Sequence, residues 1–283
     1  MICKIGFMQG RLCDPVNGLI QAFPSKDWQK EFGISQEIGI NLMEWTLDSV
    51  DISKNPLLSK AGRQKILGLQ KKHCLEIDSL TGDCFMQTPF WKSKGKDQDF
   101  LHNQFISICQ ASSQLGIKVI VLPLVDNGSL ENSQHEDQVI GFLQEQSSFL
   151  KLMNLHIAFE SDFEPIKLAS FISRFSSNQF GINYDMGNSA SMGFDPKEEF
   201  AAYGELIFNI HIKDRLLNGS TVALKEGNTN FDCVFEQIKK INYSANLILQ
   251  TARAKDNDHA ALIKTYFNFT KALIAKHNTL NQI

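Results

Sequence analysis

The chain has 283 residues, of which 43% are hydrophobic and 21% are charged, so it can bury a large core. Its 28 lysines and arginines against 31 aspartates and glutamates give a net charge of −3, which argues against a nucleic-acid-binding protein. No apolar run approaches the ~20 residues needed to cross a bilayer, and the N-terminal segment lacks the pattern of a signal peptide. Six scattered cysteines without a CxxC pair are typical of reduced thiols, so we expect a cytoplasmic protein without a membrane partner.

Short β-rich segments alternate with longer helical patterns along the chain. In order, the predicted strands cover residues 2–8, 41–47, 75–80, 118–124, 155–160, 180–185, 206–213 and 246–251. The predicted helices cover residues 28–38, 60–73, 97–115, 139–153, 165–175, 197–203, 231–241 and 259–277. Strands that are separated by helices indicate a parallel sheet with crossover connections.

The number of strand–helix units decides between two parallel folds. Eight units in 283 residues predict a closed (β/α)₈ TIM barrel, an α/β fold that forms a single domain over residues 1–283. An open, doubly wound sheet is the alternative, but it normally carries a glycine-rich turn after an early strand. The turn after the first predicted strand, Met8-Gln9-Gly10-Arg11, has one glycine, which favours the barrel.

Polar residues occur at the ends of four consecutive predicted strands. Glu160 ends the fifth strand and Asp185 the sixth, while His211 lies in the seventh and Gln250 in the eighth. Because TIM barrels carry their active sites at the C-terminal ends of the strands, these side chains are expected at one level of the barrel. Two carboxylates and an imidazole there predict a site for Mn²⁺, Mg²⁺, Co²⁺ or Zn²⁺. Taken singly, each has an ordinary structural alternative: a helix cap or surface ion pair, an Asx turn, or a core histidine.

Five motifs in the second half of the chain carry a family resemblance. In order they read IAFESDF, NYDMGN, HIKDR, KEGNTNFDCVF and LILQTAR. Together they resemble the xylose isomerase-like TIM-barrel superfamily, in particular its sugar phosphate isomerase/epimerase branch. That branch includes the L-ribulose-5-phosphate 3-epimerase-like and hexulose-6-phosphate isomerase-like enzymes. The resemblance implies a divalent-metal-dependent isomerase or epimerase that acts on a sugar or sugar phosphate through an enediolate.

The resemblance also implies a ligand set, from which this chain departs at one position. It implies that Glu160, Asp185, His211 and a glutamate on the eighth strand bind the metal, but this chain has Gln250 there. The amide of Gln250 still offers a carbonyl oxygen, so it is kept as a predicted ligand, but it cannot accept a proton as a carboxylate does.

The missing carboxylate affects the expected chemistry. In the epimerases of this family, the two glutamates form the acid/base pair. With Glu160 as the remaining base, a one-base isomerisation is easier to explain than a two-base epimerisation, unless another residue replaces the missing base. Asp83 and Glu44, near the ends of the third and second predicted strands, are the candidates for that replacement.

Further polar residues are predicted to serve the substrate. Lys213 lies two positions after His211, so on a strand both face the same side, where a cation can stabilise a developing oxyanion. The other predicted substrate-binding residues are Arg11, Glu44, Asp83, His156, Arg215, Glu226 and Arg253. The arginines suit a phosphate or carboxylate, and the alternative is that they form ion pairs at the rim of the barrel.

Three alternatives to an isomerase share this scaffold. A phosphodiesterase resembling AP endonuclease IV needs a multi-zinc cluster, but the third and fourth predicted strands end without a histidine. A sugar dehydratase begins with the same proton abstraction and stays open. A non-catalytic sugar-binding barrel is favoured by Gln250. In each of the sugar-related cases the partner is a small molecule, and the exposed ring of helices is compatible with a homodimer.

Overall fold

The structure, a computed structural model, describes residues 3–176 and 178–279. Its eight long strands are β1 (Lys4–Met8), β2 (Leu42–Thr46), β3 (Glu76–Thr81), β4 (Val119–Leu124), β5 (His156–Ser161), β6 (Phe180–Asp185), β7 (Ile207–Ile212) and β8 (Asn246–Leu249). The helices are α1 (Lys30–Ile38), α2 (Lys60–His73), α3 (Asp83–Gln87), α4 (Gly95–Leu115), α5 (Ser133–Glu145), α6 (Ser147–Leu152), α7 (Pro165–Ser173), α8 (Met186–Met192), α9 (Pro196–Tyr203), α10 (Phe231–Lys240) and α11 (His259–Thr279).

The eight strands form a closed parallel barrel. Each strand pairs with its neighbours in chain order, and β1 closes the ring against β8, with Lys4 opposite Asn246 and Phe7 opposite Leu249. The predicted (β/α)₈ TIM barrel is therefore confirmed, and the open sheet is excluded. Residue 2 of the first predicted strand lies outside the described residues, and a single domain over all of residues 1–283 stays a prediction.

The sequence-based elements are wrong in three places. The predicted helix 139–153 is two helices, α5 and α6, which meet at Gln146. Two short helices, α3 and α8, directly follow β3 and β6, and with five and seven residues they are too short to show a helical period. The loop after β7 contains a two-stranded antiparallel hairpin that pairs Asp214–Arg215 with Thr221–Val222.

Apolar side chains fill the layer between the strands and the surrounding helices. One part of this core stacks the rings of Phe159, Phe175 and Phe180, with Phe171 packed edge-on against them. Met8, Leu42 and Ile248 form a separate small apolar cluster. In the described part of the chain, no helix is both long and apolar enough to span a membrane.

Candidate functional site

Three strand-end side chains converge at the C-terminal end of the barrel. Glu160, Asp185 and His211 come from the neighbouring strands β5, β6 and β7, and Asp185 lies directly opposite His211 in the β6–β7 register. One nitrogen or oxygen atom from each residue lies within 4.8 Å of the others, and all three residues are buried. A buried group of two carboxylates and one imidazole could hold a divalent metal ion.

A third carboxylate, that of Glu44, fixes the orientation of the histidine. Nε2 of His211 lies 2.8 Å from Oε1 of Glu44, whereas Nδ1 lies 3.2 Å from Oε2 of Glu160 and 3.8 Å from Oδ2 of Asp185. Burial lowers the pKa of His211, but the surrounding carboxylates, Glu44 first, outweigh burial and raise it well above 6.5. Since Glu44 binds the remote nitrogen, Nδ1 is aimed at the two carboxylates, as in carboxylate–histidine–metal arrangements.

Two asparagines that sequence reasoning missed hold the base candidate in place. Nδ2 of Asn183 donates to Oε2 of Glu160 at 2.8 Å, and Nδ2 of Asn188 donates to Oε1 at 2.6 Å. The main-chain N–H of Asn188 donates to Oδ1 of Asp185, which caps α8. Both asparagines lie in the motif NYDMGN, and the position of Asn183 two residues before Asp185 on a strand was a signal for the same face.

A lysine links the triad to Gln250. Nζ of Lys213 donates to Oδ2 of Asp185, Oδ1 of Asn188 and Oε1 of Gln250, each at 3.2 Å. Burial raises the pKa of Asp185, but Lys213 and His211 outweigh burial and lower it to about 2. Gly187 leaves room for the lysine stem, because a Cβ at this position would lie 2.6 Å from Cγ of Lys213.

A cleft of about 990 Å³ opens above these residues. Six of the predicted site residues line it: Arg11, Asp83, Glu160, Lys213, Arg215 and Gln250. Asp185 and His211 are buried and do not line the cleft, but they contact its lining residues Lys213 and Glu160, respectively. Glu44 is fully buried and accepts hydrogen bonds from Ser79 and Asn209 as well as contacting His211.

The predicted arginines are engaged with the main chain of the surrounding loops. Arg11 donates from Nε to the carbonyl of Thr251 at 2.9 Å and from Nη1 to that of Ile20 at 2.7 Å. Arg253 lies outside the lining of the cleft and donates to the carbonyls of Gly10, Cys13 and Ile20. Arg215 donates to the carbonyl of Gly219 and to Oδ1 of Asn188. These guanidinium groups therefore connect the loops at the mouth of the barrel.

Two further predicted residues lie away from the cleft. Glu226 is exposed in the loop after β7, which Asp214 holds by accepting the N–H groups of Lys225, Gly227 and Thr229. His156 lies at the N-terminal end of β5, and its ring packs edge-on against Phe208 at 5.2 Å. The even spacing of His156 and Glu160 predicts that they lie on the same face of the strand. The two residues are nevertheless four positions apart, which is about 13 Å along a strand.

A buried glutamate that the sequence analysis missed holds the loop after β1. Glu31 accepts the N–H of Gly10 on both carboxylate oxygens, at 2.8 and 3.0 Å, and that of Leu12 at 3.0 Å. Gly10 has φ +91°, a conformation that favours glycine. Burial raises the pKa of Glu31 to about 7, although these N–H groups lower it. The loop that carries Arg11 is therefore fixed by one fully buried side chain.

The fold and site define a parallel TIM barrel with a candidate metal centre beneath its C-terminal mouth. A model of the xylose isomerase-like TIM barrel family matches residues 32–273 of the sequence. The chain therefore belongs to this family, as its motifs predict, whereas the branch within the family stays a prediction. No curated protein sequence matches the chain.

Several solved structures share the whole fold at low sequence identity. A xylose isomerase domain protein from Planctomyces limnophilus superposes with a TM-score of 0.74 at 13% identity, covering 98% of this chain and 98% of its own. The IolI protein with a bound zinc atom gives 0.76 at 16% identity, over 97% and 99% of the two chains. A D-psicose 3-epimerase crystallised with D-fructose gives 0.76 at 10% identity, over 96% and 99%.

Proposed function

We propose that this protein is a divalent-metal-dependent isomerase or epimerase that acts on a sugar through an enediolate. The observation that carries the proposal is the buried group of Glu160, Asp185 and His211, of which Glu160 lines the cleft. The zinc in IolI and the D-psicose 3-epimerase among the structures of the same fold support it.

The residues present fit a divalent ion. Glu160, Asp185 and Nδ1 of His211 would hold it, with Oε1 of Gln250 as the fourth ligand. Their donor atoms suit Mn²⁺, Mg²⁺, Co²⁺ or Zn²⁺, and Glu44 fixes the imidazole in the orientation that a ligand needs. When bound, the ion polarises the sugar carbonyl and acidifies the neighbouring C–H.

Glu160 and the side chains around the triad serve the proton transfer. Glu160 is the base that removes the proton, and the amides of Asn183 and Asn188 hold its two oxygens in place. The ammonium group of Lys213 lines the cleft beside Gln250 and stabilises the negative charge that develops on the sugar oxygen.

The contacts of the arginines favour a sugar without a phosphate group. Each of the three nitrogens of Arg11 and of Arg215 already donates a hydrogen bond within the protein. Three of the five N–H groups of each guanidinium are therefore engaged, which leaves fewer donors for a phosphate. D-fructose is therefore expected to be a better ligand than D-fructose 6-phosphate, which competition binding to the Mn²⁺-loaded protein measures.

Metal binding and hydrogen exchange test the proposed function. The protein, prepared without chelator, is expected to contain a divalent metal or to bind added Mn²⁺ with an increase in melting temperature. In D₂O the loaded protein should introduce deuterium next to the carbonyl of a ketose, and Glu160→Gln should lose that exchange from the ketose whose proton Glu160 removes. Protein that neither contains nor binds a divalent metal contradicts the proposal.

A further inference from the structure

Asp83 and Glu44 occupy different environments, although both are candidates to replace the carboxylate that position 250 lacks. Glu44 is fully buried, binds Nε2 of His211 and does not line the cleft. Asp83, the first residue of α3 after β3, lines the cleft together with Glu160. A sugar in the cleft can therefore contact Asp83, whereas Glu44 acts only through His211.

A chain of side-chain hydrogen bonds connects Gln250 to Asp83. Nε2 of Gln250 donates to Oε1 of Gln21 at 3.2 Å, and Nε2 of Gln21 donates to Oδ2 of Asp83 at 2.8 Å. Lys213 donates to Oε1 of Gln250 at 3.2 Å, and Arg11 donates from Nη2 to Oε1 of Gln21 at 3.0 Å. The five side chains thus link the segments after β1, β7 and β8 to α3 across the mouth of the barrel.

The two cations determine the orientation of both amides in this chain. Lysine and arginine side chains can only donate, so the atom of Gln250 that faces Lys213 and the atom of Gln21 that faces Arg11 must be oxygens. The amide nitrogen of Gln250 then faces Gln21, and the amide nitrogen of Gln21 faces Asp83.

This arrangement explains a glutamine rather than a glutamate at position 250. The side chain must accept from Lys213 on one side and donate to Gln21 on the other, and a glutamate carboxylate has no hydrogen to donate. A glutamate would also place negative charge against Oε1 of Gln21, the atom that both Arg11 and Gln250 contact. Gln250 therefore belongs to the network that presents an N–H group to Asp83.

From this geometry we infer that Asp83 is the second acid/base group of the cleft and replaces the carboxylate missing at position 250. The inference rests on the proposed function, in which Glu160 is the first base. The two carboxyl groups come from the ends of β3 and β5, with β4 between them, and both line the cleft, so a bound sugar can contact both of them. The protein can then catalyse a two-base epimerisation despite Gln250.

The proton transfers balance in this scheme. Ionised Glu160 takes the hydrogen of the carbon next to the carbonyl as a proton, and the C–H electron pair forms the enediolate. Protonated Asp83 then donates its proton to the other face of the same carbon, which restores the ketone with the opposite configuration. Glu160 ends protonated and Asp83 ionised, and exchange with water restores the starting forms. No oxidant or other reactant is required.

The charge environment of Asp83 suits this role. Its pKa is raised to about 6, because burial, Glu160 and Asp48 raise it by more than the hydrogen bonds from Gln21 and Thr81 lower it. The positive charge of Arg11 is also near. Both protonation states are then populated close to neutral pH, as general acid/base catalysis requires.

Stereospecific exchange in D₂O tests the inference. The probes are two pairs of C3 epimers, D-fructose with D-psicose and D-tagatose with D-sorbose, each incubated with Mn²⁺-loaded protein and followed by NMR. The wild type should interconvert one pair and exchange the C3 hydrogen of both members. Asp83→Asn and Glu160→Gln should each reduce interconversion more than 100-fold, while each retains exchange in the one epimer that its remaining carboxylate deprotonates.

Two further variants separate catalysis from folding. Asp195→Asn, the same change at the exposed start of α9, should leave interconversion and exchange unchanged. Gln21→Leu removes the N–H group that lowers the pKa of Asp83, so the alkaline limb of the pH–rate profile, where Asp83 loses the proton that it donates, should move to higher pH. A purely structural role of Asp83 would not move this limb.

The outcomes distinguish the two proposals. If Asp83→Asn interconverts the epimers at the wild-type rate, the role of Asp83 is overturned and Glu160 remains the base. The same holds if Asp83→Asn loses exchange from both epimers and Gln21→Leu leaves the pH–rate profile unchanged. Unchanged interconversion and exchange in Glu160→Gln overturn the proposed role of Glu160. Wild-type protein that binds Mn²⁺ but exchanges neither pair contradicts both proposals.

Discussion

The two ends of the barrel use the same eight strands in opposite ways. At the C-terminal end, buried Glu44, Glu160, Asp185 and His211 form one connected polar group beneath a cleft of about 990 Å³. At the N-terminal end, the charged side chain of Asp78 binds lysines at 3.3 and 3.6 Å that are 47% and 57% exposed. A cavity of about 400 Å³ there is lined mainly by apolar and aromatic groups.

This difference is expected if the buried polar residues at the C-terminal end serve chemistry and the ion pairs at the N-terminal end serve stability. Burying charges without water is costly, so a connected group of buried carboxylates is poorly explained by stability alone. Exposed ion pairs contribute at most about 1 kcal/mol each and are weakened by salt. In TIM barrels the C-terminal face carries function and the N-terminal face carries stability, as both ends of this barrel indicate.

The largest expected effect compares one aspartate from each end. Asp185→Asn should weaken Mn²⁺ binding more than 100-fold, because it removes an anionic ligand. Loss of a residue that only hydrogen-bonds to a metal ligand already costs about 10–100-fold in affinity. Asp78→Asn, the matched change at the N-terminal end, should leave Mn²⁺ affinity unchanged. Isothermal titration calorimetry measures both. Equal affinities in the two variants would contradict the assignment of the metal site.

The second prediction concerns the free energy of unfolding as a function of pH, through Glu31, which holds the loop after β1. Burial raises the pKa of Glu31 from 4.5 to about 7, so its folded form prefers the proton. The resulting stabilisation is fully present below pH 4.5 and is lost as the pH rises through 7. Compared with Glu31→Gln, the wild type should therefore lose roughly 3 kcal/mol of unfolding free energy over this window.

Urea unfolding of both proteins at a series of pH values between 4 and 8 checks this effect. Glu205→Gln, at an exposed position near the N-terminal end of β7, serves as the control and should keep the wild-type pH dependence. If Glu31→Gln and the wild type show parallel curves across the window, Glu31 does not titrate in it.

The third prediction concerns the carboxylate behind the histidine. Glu44→Gln should weaken Mn²⁺ binding by about 10–100-fold, because His211 loses the charged partner that orients its ring. It should also lower the pKa of His211, since the charge of Glu44 raises that pKa. Calorimetry gives the affinity, and NMR of the imidazole gives the titration. An unchanged affinity would mean that the ring is oriented without Glu44.

The smallest expected effect lies at the N-terminal end. His156→Ala removes an edge-on contact with Phe208 and should cost about 0.5–1.5 kcal/mol of stability. Mn²⁺ affinity should stay at the wild-type value, because His156 lies in the separate cavity at that end. Thermal unfolding and calorimetry measure the two quantities. A change in Mn²⁺ affinity would mean that the N-terminal end of the barrel also affects metal binding, which contradicts separate roles for the two ends.

Sequence reasoning was most successful where a residue's role depends on its place in a strand. Glu160, Asp185 and His211 were predicted together because each interrupts or ends an apolar segment, and parallel strands of a barrel end at one face. The same reasoning was incomplete for His156, because alternation determines the face of a strand and not the height along it. A cytoplasmic location and a homodimer stay predictions from the sequence.

Contacts between distant segments were beyond the sequence. Arg253 and Arg11 both follow strands, as a phosphate-binding arginine would, yet the structure turns them to carbonyls of the loop after β1. Glu31 has the helical position of an ordinary surface residue and is fully buried against that loop. These hydrogen-bond partners depend on how each loop folds back onto the barrel, and no local sequence pattern specifies that path.

The sequence by itself determined the barrel and the strand ends that carry the triad, because hydrophobic periodicity and strand–helix alternation are local properties. Only the tertiary structure decided which side chains surround Gln250. Gln250 and Gln21 are 229 residues apart and meet because β8 closes the ring against β1. Since a hydrogen bond requires its two atoms at about 3 Å, the link from Gln250 through Gln21 to Asp83 exists only in the closed barrel.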